Sequence, residues 1–238
     1  MPKPVYSRIL YKISGEALMG DKPFGIDPDM VEQVVKDIAE ARALGTQMAL
    51  VVGGGNLFRG LSLAAEGADR VTGDHMGMLA IVMNALALRM AFERKGIEAT
   101  VLSGLAVPQV CEPFSQRALN AARDAGHVVI FAGGLGIPFF TSDTAAAVRA
   151  AEFGAEAIFK GTQVDGVYSA DPKKDPDAKR YDTLTHADVL EQRLGIMDAA
   201  AVSLARENDI DVVVFSIHET GELARVLCGD GTFTRVTS

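Results

Sequence analysis

The stretch "QMALVVGGGNLFRG" (residues 47–60) runs a short apolar segment into three glycines, with an arginine four positions beyond them. Residues 47–52 read as a strand buried on both faces. Glycine in series is costly to order, because it loses the most backbone freedom on folding. Two causes would warrant Gly53, Gly54 and Gly55 together: a tight structural turn, or an anionic ligand cradled by backbone N–H groups. The rest of the chain has to decide between them.

The same kind of run recurs as "RILYKI" (8–13), "ATVLS" (99–103), "VVIFA" (128–132), "EAIFK" (156–160) and "VVVFS" (212–216). Between the first two strands, Asp27 as N-cap, Pro28 at the first helical position and Gly45 past the end mark a helix. Its Met30, Val31, Val34, Val35, Ile38 and Ala41 follow helical spacing and face a sheet. A second helix is expected from about Asp74 to Lys95, with Leu79, Val82, Leu86 and Met90 on one stripe. Others follow at about 115–125, 143–153, 198–208 and 219–228. The polar segment 164–185 reads as a loop or hairpin rather than a linker, and "THAD" (185–188) has the form of a capping box. Strands alternating with helices give an α/β class: a three-layer α/β/α sandwich around a mainly parallel central sheet, in one domain with room for two lobes.

The bulk numbers are ordinary for such a domain: 238 residues, 48% hydrophobic, 23% charged. Cys111 and Cys228 form no CxxC pair, so neither a disulfide framework nor a zinc site is indicated, and two buried thiols in a reduced cytoplasm are expected. The opening "MPKPVYSRIL" has no secretory apolar stretch, and no run is expected to reach membrane-spanning length. A net charge of −8 disfavours broad nucleic-acid binding. An acidic protein that handles an anion must gather its cations locally, so a lysine or arginine beside a glycine loop is informative.

Ligands of open α/β sheets sit outside the carboxyl ends of the strands. Four of those ends are unusual here: "KISGEAL" (12–18), "GGGNLFRG" (53–60), "GGLGIPFFTSD" (133–143) and "KGTQVDGVYSADP" (160–172). A single glycine-rich turn divides evenly between turn and site, but several at one sheet edge are hard to explain as turns. No GxxxxGK[ST], GxGxxG, HExxH, GxSxG or DxDxDG occurs, and the four histidines are scattered, each best read as a satisfied surface or cap residue. What remains is an anion site built from backbone donors with Lys12, Arg59 and Lys160.

"LYKISGEAL", "VVGGGNLFRG", "GDHMGMLA", "PFFTSDTAA" and "KGTQVDGVYSADP" together resemble the bacterial uridylate kinases of the amino acid kinase superfamily, in order and over nearly the whole chain. "GGGNLFRG" followed by "GDHMGMLA" separates that resemblance from the carbamate, acetylglutamate and aspartate kinases. It implies transfer of the γ-phosphoryl group of ATP to UMP, giving UDP for pyrimidine nucleotide synthesis, in a cytoplasmic homohexamer activated by GTP and inhibited by UTP. No membrane and no nucleic-acid partner are expected, from the missing apolar span and the acidic net charge.

Phosphoryl transfer asks for two anions held in line and for neutralisation of the moving charge. Lys12 can place a point charge on the transferring group, with Ile13, Ser14 and Gly15 beside it on the ATP side. Lys160 can neutralise from the far side, and Asp143 can hold both lysines. The bland alternative for both lysines is a solvated strand end. Similarity assigns Gly54 to UMP, and Gly55 with Arg59 to ATP. Asp74 is either an N-cap or, by resemblance, an acceptor for the UMP ribose hydroxyls. Leu135, Gly136, Ile137, Pro138, Phe139, Phe140, Thr141 and Ser142 fall where the family wraps UMP. Thr162, Tyr168 and Asp171 fall where it binds adenosine, and Gly20, Asp21, Lys22, Pro23, Phe24 and Gly25 match its GTP effector region. Magnesium is expected on the nucleotide phosphates, without a metal site of the protein's own.

The chain departs from the family at "GLGIP" (134–138), where Gly-Thr-Gly-Asn-Pro is frequent; Leu135 and Ile137 replace two hydrogen-bonding side chains. Other readings are a carbamate or acylamino-acid kinase, a Rossmann-like oxidoreductase, disfavoured by the missing fingerprint, and a silent nucleotide sensor, which would have no need of both lysines and Asp143.

Overall fold

The structure, a computed structural model, describes residues 3–58, 69–172, 174–218 and 220–238. β1 (Arg8–Ile13) leads through a 3₁₀ turn (Gly15–Leu18) into α1 (Pro28–Ala43), β2 (Gln47–Val52) and α2 (Arg70–Arg94). There follow β3 (Ala99–Ser103), β4 (Glu112–Pro113), α3 (Gln116–Asp124), β5 (Val128–Ala132) and α4 (Ser142–Phe153). β6 (Ala157–Thr162), β7 (Val167–Tyr168), β8 (Arg180–Tyr181) and β9 (Thr183–Thr185) precede α5 (His186–Glu191) and α6 (Ala199–Glu207). β10 (Asp211–Ser216), α7 (Glu222–Leu227) and β11 (Phe233–Thr237) complete the order.

Nine strands form one sheet in the order β4-β3-β5-β2-β1-β6-β10-β11-β9, and β7 pairs with β8 as a separate antiparallel ribbon. Every pairing from β4 through to β10 is parallel; β11 then runs antiparallel to β10 and parallel to β9. Alternation along β1 divides the core. Ile9, Tyr11 and Ile13 join the apolar cluster under α1, α2 and α7. Leu10 joins the cluster under α3, α4, α5 and α6. Helices on both faces of a mainly parallel sheet make the three layers that strand–helix alternation predicts.

β1, β2, β3 and β5 begin and end where their apolar runs do. β6 continues to Thr162, so Lys160 lies inside the strand rather than at its end. Asp27 caps α1 over the Asp29 N–H, Pro28 opens it and Gly45 lies beyond it at φ 98°, as expected. Thr185 and Asp188 form the capping box, and segment 164–185 contains the β7–β8 hairpin.

α2 differs from the sequence expectation in three respects. It starts at Arg70, capped by Asp69, whose carboxylate accepts from the Thr72 N–H; Asp74 is therefore inside the helix and is not its cap. Its buried face carries Met78, Val82, Ala85 and Phe92, whereas Leu79 and Met90 of the expected stripe are about half exposed. A helix apolar on several faces gives no single period from which to choose the core side. By length and composition α2 could also cross a membrane, contrary to the expectation that no run would. Its buried side packs into the sheet core. Among the thiols, Cys111 is buried and Cys228 only partly so. His186 is no surface residue: it is 1% exposed, its Nε2 meets the Ile210 carbonyl, and burial pushes its pKa below the usual histidine value.

Candidate active site

Lys12 on β1 and Lys160 on β6 are direct partners in the parallel register, so the pleat sends both side chains to the α4 face. Like charges directly opposite repel. Asp143, in the first turn of α4, lies between them: its Oδ1 is 2.9 Å from Lys12 Nζ and its Oδ2 is 2.8 Å from Lys160 Nζ. The Lys160 ammonium also donates to the Ile196 carbonyl. Burial, and then the Lys12 charge, push the Lys160 pKa below the ordinary lysine value, against the pull of Asp143. Both ammoniums are close to nine-tenths buried. Two ammoniums share one carboxylate, with the Asp198 charge also acting on Lys160, which gathers cations locally in an acidic protein.

The glycines around this triad have different reasons. A Cβ on Gly15 would lie 2.7 Å from the Gly53 carbonyl oxygen, and one on Gly54 would lie 2.8 Å from the Gly77 carbonyl oxygen of α2. Gly53 and Gly15 are thus held by backbone-on-backbone packing, and Gly54 by the helix. Of Gly15, Gly53, Gly54 and Gly55, it is Gly55 that has open space for a side chain, and so for a ligand. The turn and the cradle are both realised, at neighbouring residues. Ile13 is buried and accepts from the Gly53 N–H at 2.9 Å, while Ser14 caps the 3₁₀ turn. Arg59 lies outside the described residues.

A cavity of about 540 Å³ is lined by Gly54 and Gly55, by Arg70, Asp74 and Gly77 of α2, and by Leu135, Ile137, Phe140, Thr141 and Ser142. Gly136, Pro138 and Phe139 are not among its lining residues. Gly136 (φ 77°) instead packs its backbone against Gly104. Phe139 holds φ 74°, a left-handed conformation uncommon outside glycine, and its N–H donates to Asp74 Oδ2 at 2.8 Å. Asp74 also receives the Arg70 guanidinium, so one carboxylate ties α2 to the 134–141 loop. The Thr141 hydroxyl is already engaged: it caps α4 through the Asp143 and Thr144 N–H groups and donates to Asp198. What it leaves for an anion is the helix N-terminus itself.

Tyr168, Asp171 and Ile196 line a second cavity of about 370 Å³. The Tyr168 hydroxyl donates to Asp165 at 2.7 Å, whereas the Thr162 hydroxyl closes a local turn with Val164 and is not in that lining. Because Ile196 also accepts from Lys160, this cavity adjoins the triad. A third cavity of about 750 Å³ takes Gly20, Asp21 and Lys22 in its wall; Lys22 pairs with Asp27 and Phe24 is exposed. Pro23, Phe24 and Gly25 are not in that wall. Among the described residues no group of three His, Cys, Asp or Glu is placed to hold a metal ion.

Sequence reasoning overlooked Asp198, Arg70 and the Ile196 carbonyl. Asp198 accepts from Thr141, Thr144 and the Ala201 N–H, joining the N-termini of α4 and α6. Burial pushes its pKa up, but these donors outweigh burial and hold it low. Its place before an alanine-rich helix was the one available signal.

The model of the amino acid kinase family matches residues 7–216. The chain is 61% identical over 235 residues to the uridylate kinase of Rhizobium meliloti (strain 1021), covering 99% of this chain and 98% of that protein. It is 62% identical over 234 residues to the uridylate kinase of Agrobacterium fabrum, covering 98% and 97%. Among solved structures, the UMP kinase of Ureaplasma parvum superposes with a TM-score of 0.93 at 35% identity, covering 100% of both chains. The UMP kinase of Bacillus anthracis does so with 0.93 at 36%, covering 98% and 96%.

Proposed function

We infer the function from one premise: the chain belongs to the amino acid kinase family, and within it to the uridylate kinases. It transfers the γ-phosphoryl group of ATP to UMP. An oxygen of the UMP phosphate attacks Pγ, the bond from Pγ to the β–γ bridging oxygen breaks, and ADP leaves. The observation that carries this reading is the Lys12–Asp143–Lys160 triad, whose neighbour Ser142 lines one cavity and whose partner Ile196 lines another. Two ammoniums fixed by one carboxylate are already oriented where charge grows on the moving group, so little reorganisation accompanies the reaction. UMP occupies the cavity of Gly54, Asp74 and the 135–142 loop; ATP reaches the triad from the side of Gly15, Gly55, Tyr168 and Asp171. Magnesium supplies further charge neutralisation when bound. Asp143 Oδ2 is hydrogen-bonded to Lys160 and Oδ1 lies 2.9 Å from the Lys12 ammonium, so no carboxylate cage is offered there and the ion would be carried by the nucleotide phosphates.

The finer reading follows the family. GTP activates through the 20–25 segment, UTP inhibits, and the enzyme acts in the cytoplasm in pyrimidine nucleotide synthesis. Self-association into a hexamer is supported by Met76, Leu79, Met83 and Met90, each 45–55% exposed on one side of α2. A coupled assay of ADP release tests the substrate. UMP is expected to be strongly preferred over CMP, dUMP, AMP and carbamate, and comparable kcat/KM for CMP or carbamate would overturn the assignment.

Asp74→Asn is expected to raise KM for UMP while Tm is nearly kept. Asn still accepts from the Phe139 N–H, and the lost i,i+4 pair with Arg70 is worth only about 0.3–0.5 kcal/mol. A fall in Tm with KM unaltered would reduce Asp74 to a tie between α2 and the loop.

Leu135 and Ile137 give the cavity an apolar wall, which suits a base face and leaves no side-chain polar group unpaired. Leu135→Thr with Ile137→Asn should therefore leave KM for UMP unchanged or raise it, with kcat little affected. A fall of about tenfold in KM at constant kcat would mean that a lost uniform-binding contact had been restored.

A further inference from the structure

Asn56 and Asn84 are 2% and 0% exposed, and their amides pair reciprocally. Asn56 Nδ2 donates to Asn84 Oδ1 at 3.0 Å and Asn84 Nδ2 donates to Asn56 Oδ1 at 2.7 Å. The remaining N–H of each amide reaches a main-chain carbonyl: Asn84 donates to Gly53 at 2.8 Å and Asn56 to Gly25 at 2.9 Å. The Asn56 main-chain carbonyl in turn accepts from the Gly25 N–H at 2.8 Å. All four side-chain donors are thereby used, and turning either amide over would set donor against donor. A Cβ on Gly15 would lie 2.6 Å from Asn56 Oδ1, so the pair also abuts the exit of β1. Helix α2, the glycine loop, the end of β1 and residue 25 all meet at these two amides.

An apolar pair of similar volume would fill the space without the desolvation penalty of two amides. What an apolar pair cannot do is fix the orientation of the Gly53 carbonyl, and with it the direction of the N–H groups that follow at Gly54 and Gly55. Fully satisfied buried polar networks select one arrangement among several of equal packing.

We propose that Asn84, acting through Asn56 and the Gly53 carbonyl, is a positioning residue that holds the Gly53–Gly55 loop in its phosphate-facing conformation. The proposal rests on the reading of the adjoining cavity as the UMP site. It reaches the chemistry only through the loop, and neither amide touches the lysines.

The test is Asn84→Ala in the full chain, read in two ways. Hydrogen exchange is expected to be about tenfold or more faster at 53–57, while the β2 amides keep their protection. Well below Tm, kcat/KM for UMP is expected to fall by about tenfold or more, because a misplaced loop loses transition-state alignment beyond any loss of stability. Unchanged exchange at 53–57, or a lower Tm with kcat and KM both kept, overturns the proposal. If Asn84→Ala does not fold, Asn56→Ala breaks the pair from the loop side and is read the same way. If the wild-type chain phosphorylates no UMP, the functional reading fails, and the exchange measurement still decides the role of the pair.

Discussion

Lys12→Met is expected to lower kcat by about 100-fold or more while Tm is kept, since a preorganised donor to transition-state charge is worth about 2.7–4 kcal/mol. Lys12 is 8% exposed and is directed onto Asp143, so its ammonium is fixed before substrate arrives. Methionine fills a similar volume. The loss of the ion pair is offset by relief of the like charge that faces Lys160 in register. Steady-state kinetics at saturating ATP and UMP, with calorimetric melting alongside, separates the outcomes. A raised KM with kcat near wild type would make Lys12 a binding residue that does not assist transfer.

Asp143→Asn should damage both activity and stability. The shape is kept and the charge is not, which leaves two mostly buried ammoniums side by side on neighbouring strands. Breaking a buried pair from one side costs about 3–5 kcal/mol, and kcat should again fall by about 100-fold or more as both donors lose their orientation. The sign of the pH dependence is fixed. In the folded wild type the Lys160 pKa lies below its ordinary value. Between the folded and unfolded values the unfolded chain therefore binds more protons, and stability rises with pH. Without Asp143 that window widens downward, so the variant's deficit in Tm should shrink as the pH rises toward the ordinary lysine range. A deficit that is constant with pH would mean that repulsion between the lysines is not its cause.

Much of this was legible from residues, and the rest was not, for physical reasons. β1, β2, β3 and β5 could be bounded to the residue because strands covered on both faces are apolar throughout. β4, β7, β8 and β9, two or three residues each, and the edge-side β11 sit in polar sequence, and their extended form comes from partners rather than from their own pattern. α2 misled because methionines and leucines surround it, so its core side is chosen by packing against the sheet. In the site, Lys12 and Lys160 could be found because each interrupts or closes an apolar run beside glycines. The Ile196 carbonyl that completes the Lys160 shell is main chain and has no sequence signature. Gly54 misled in another way: its missing side chain makes room for Gly77 of the helix, which has the same signature as making room for a phosphate.

The pairing of Lys12 with Lys160 across β1 and β6 makes activity a report on strand alignment. A slip of one residue between these strands turns every β6 side chain to the opposite face. Lys160 would then be directed toward α1 and α7, away from Asp143, and Phe159 would take its place. A chain folded with that slip would still be compact and helical, and would look intact by circular dichroism, but it would be inert. In refolding from denaturant, catalytic turnover therefore counts correctly aligned sheets. A slipped population would register as turnover lagging behind recovered ellipticity.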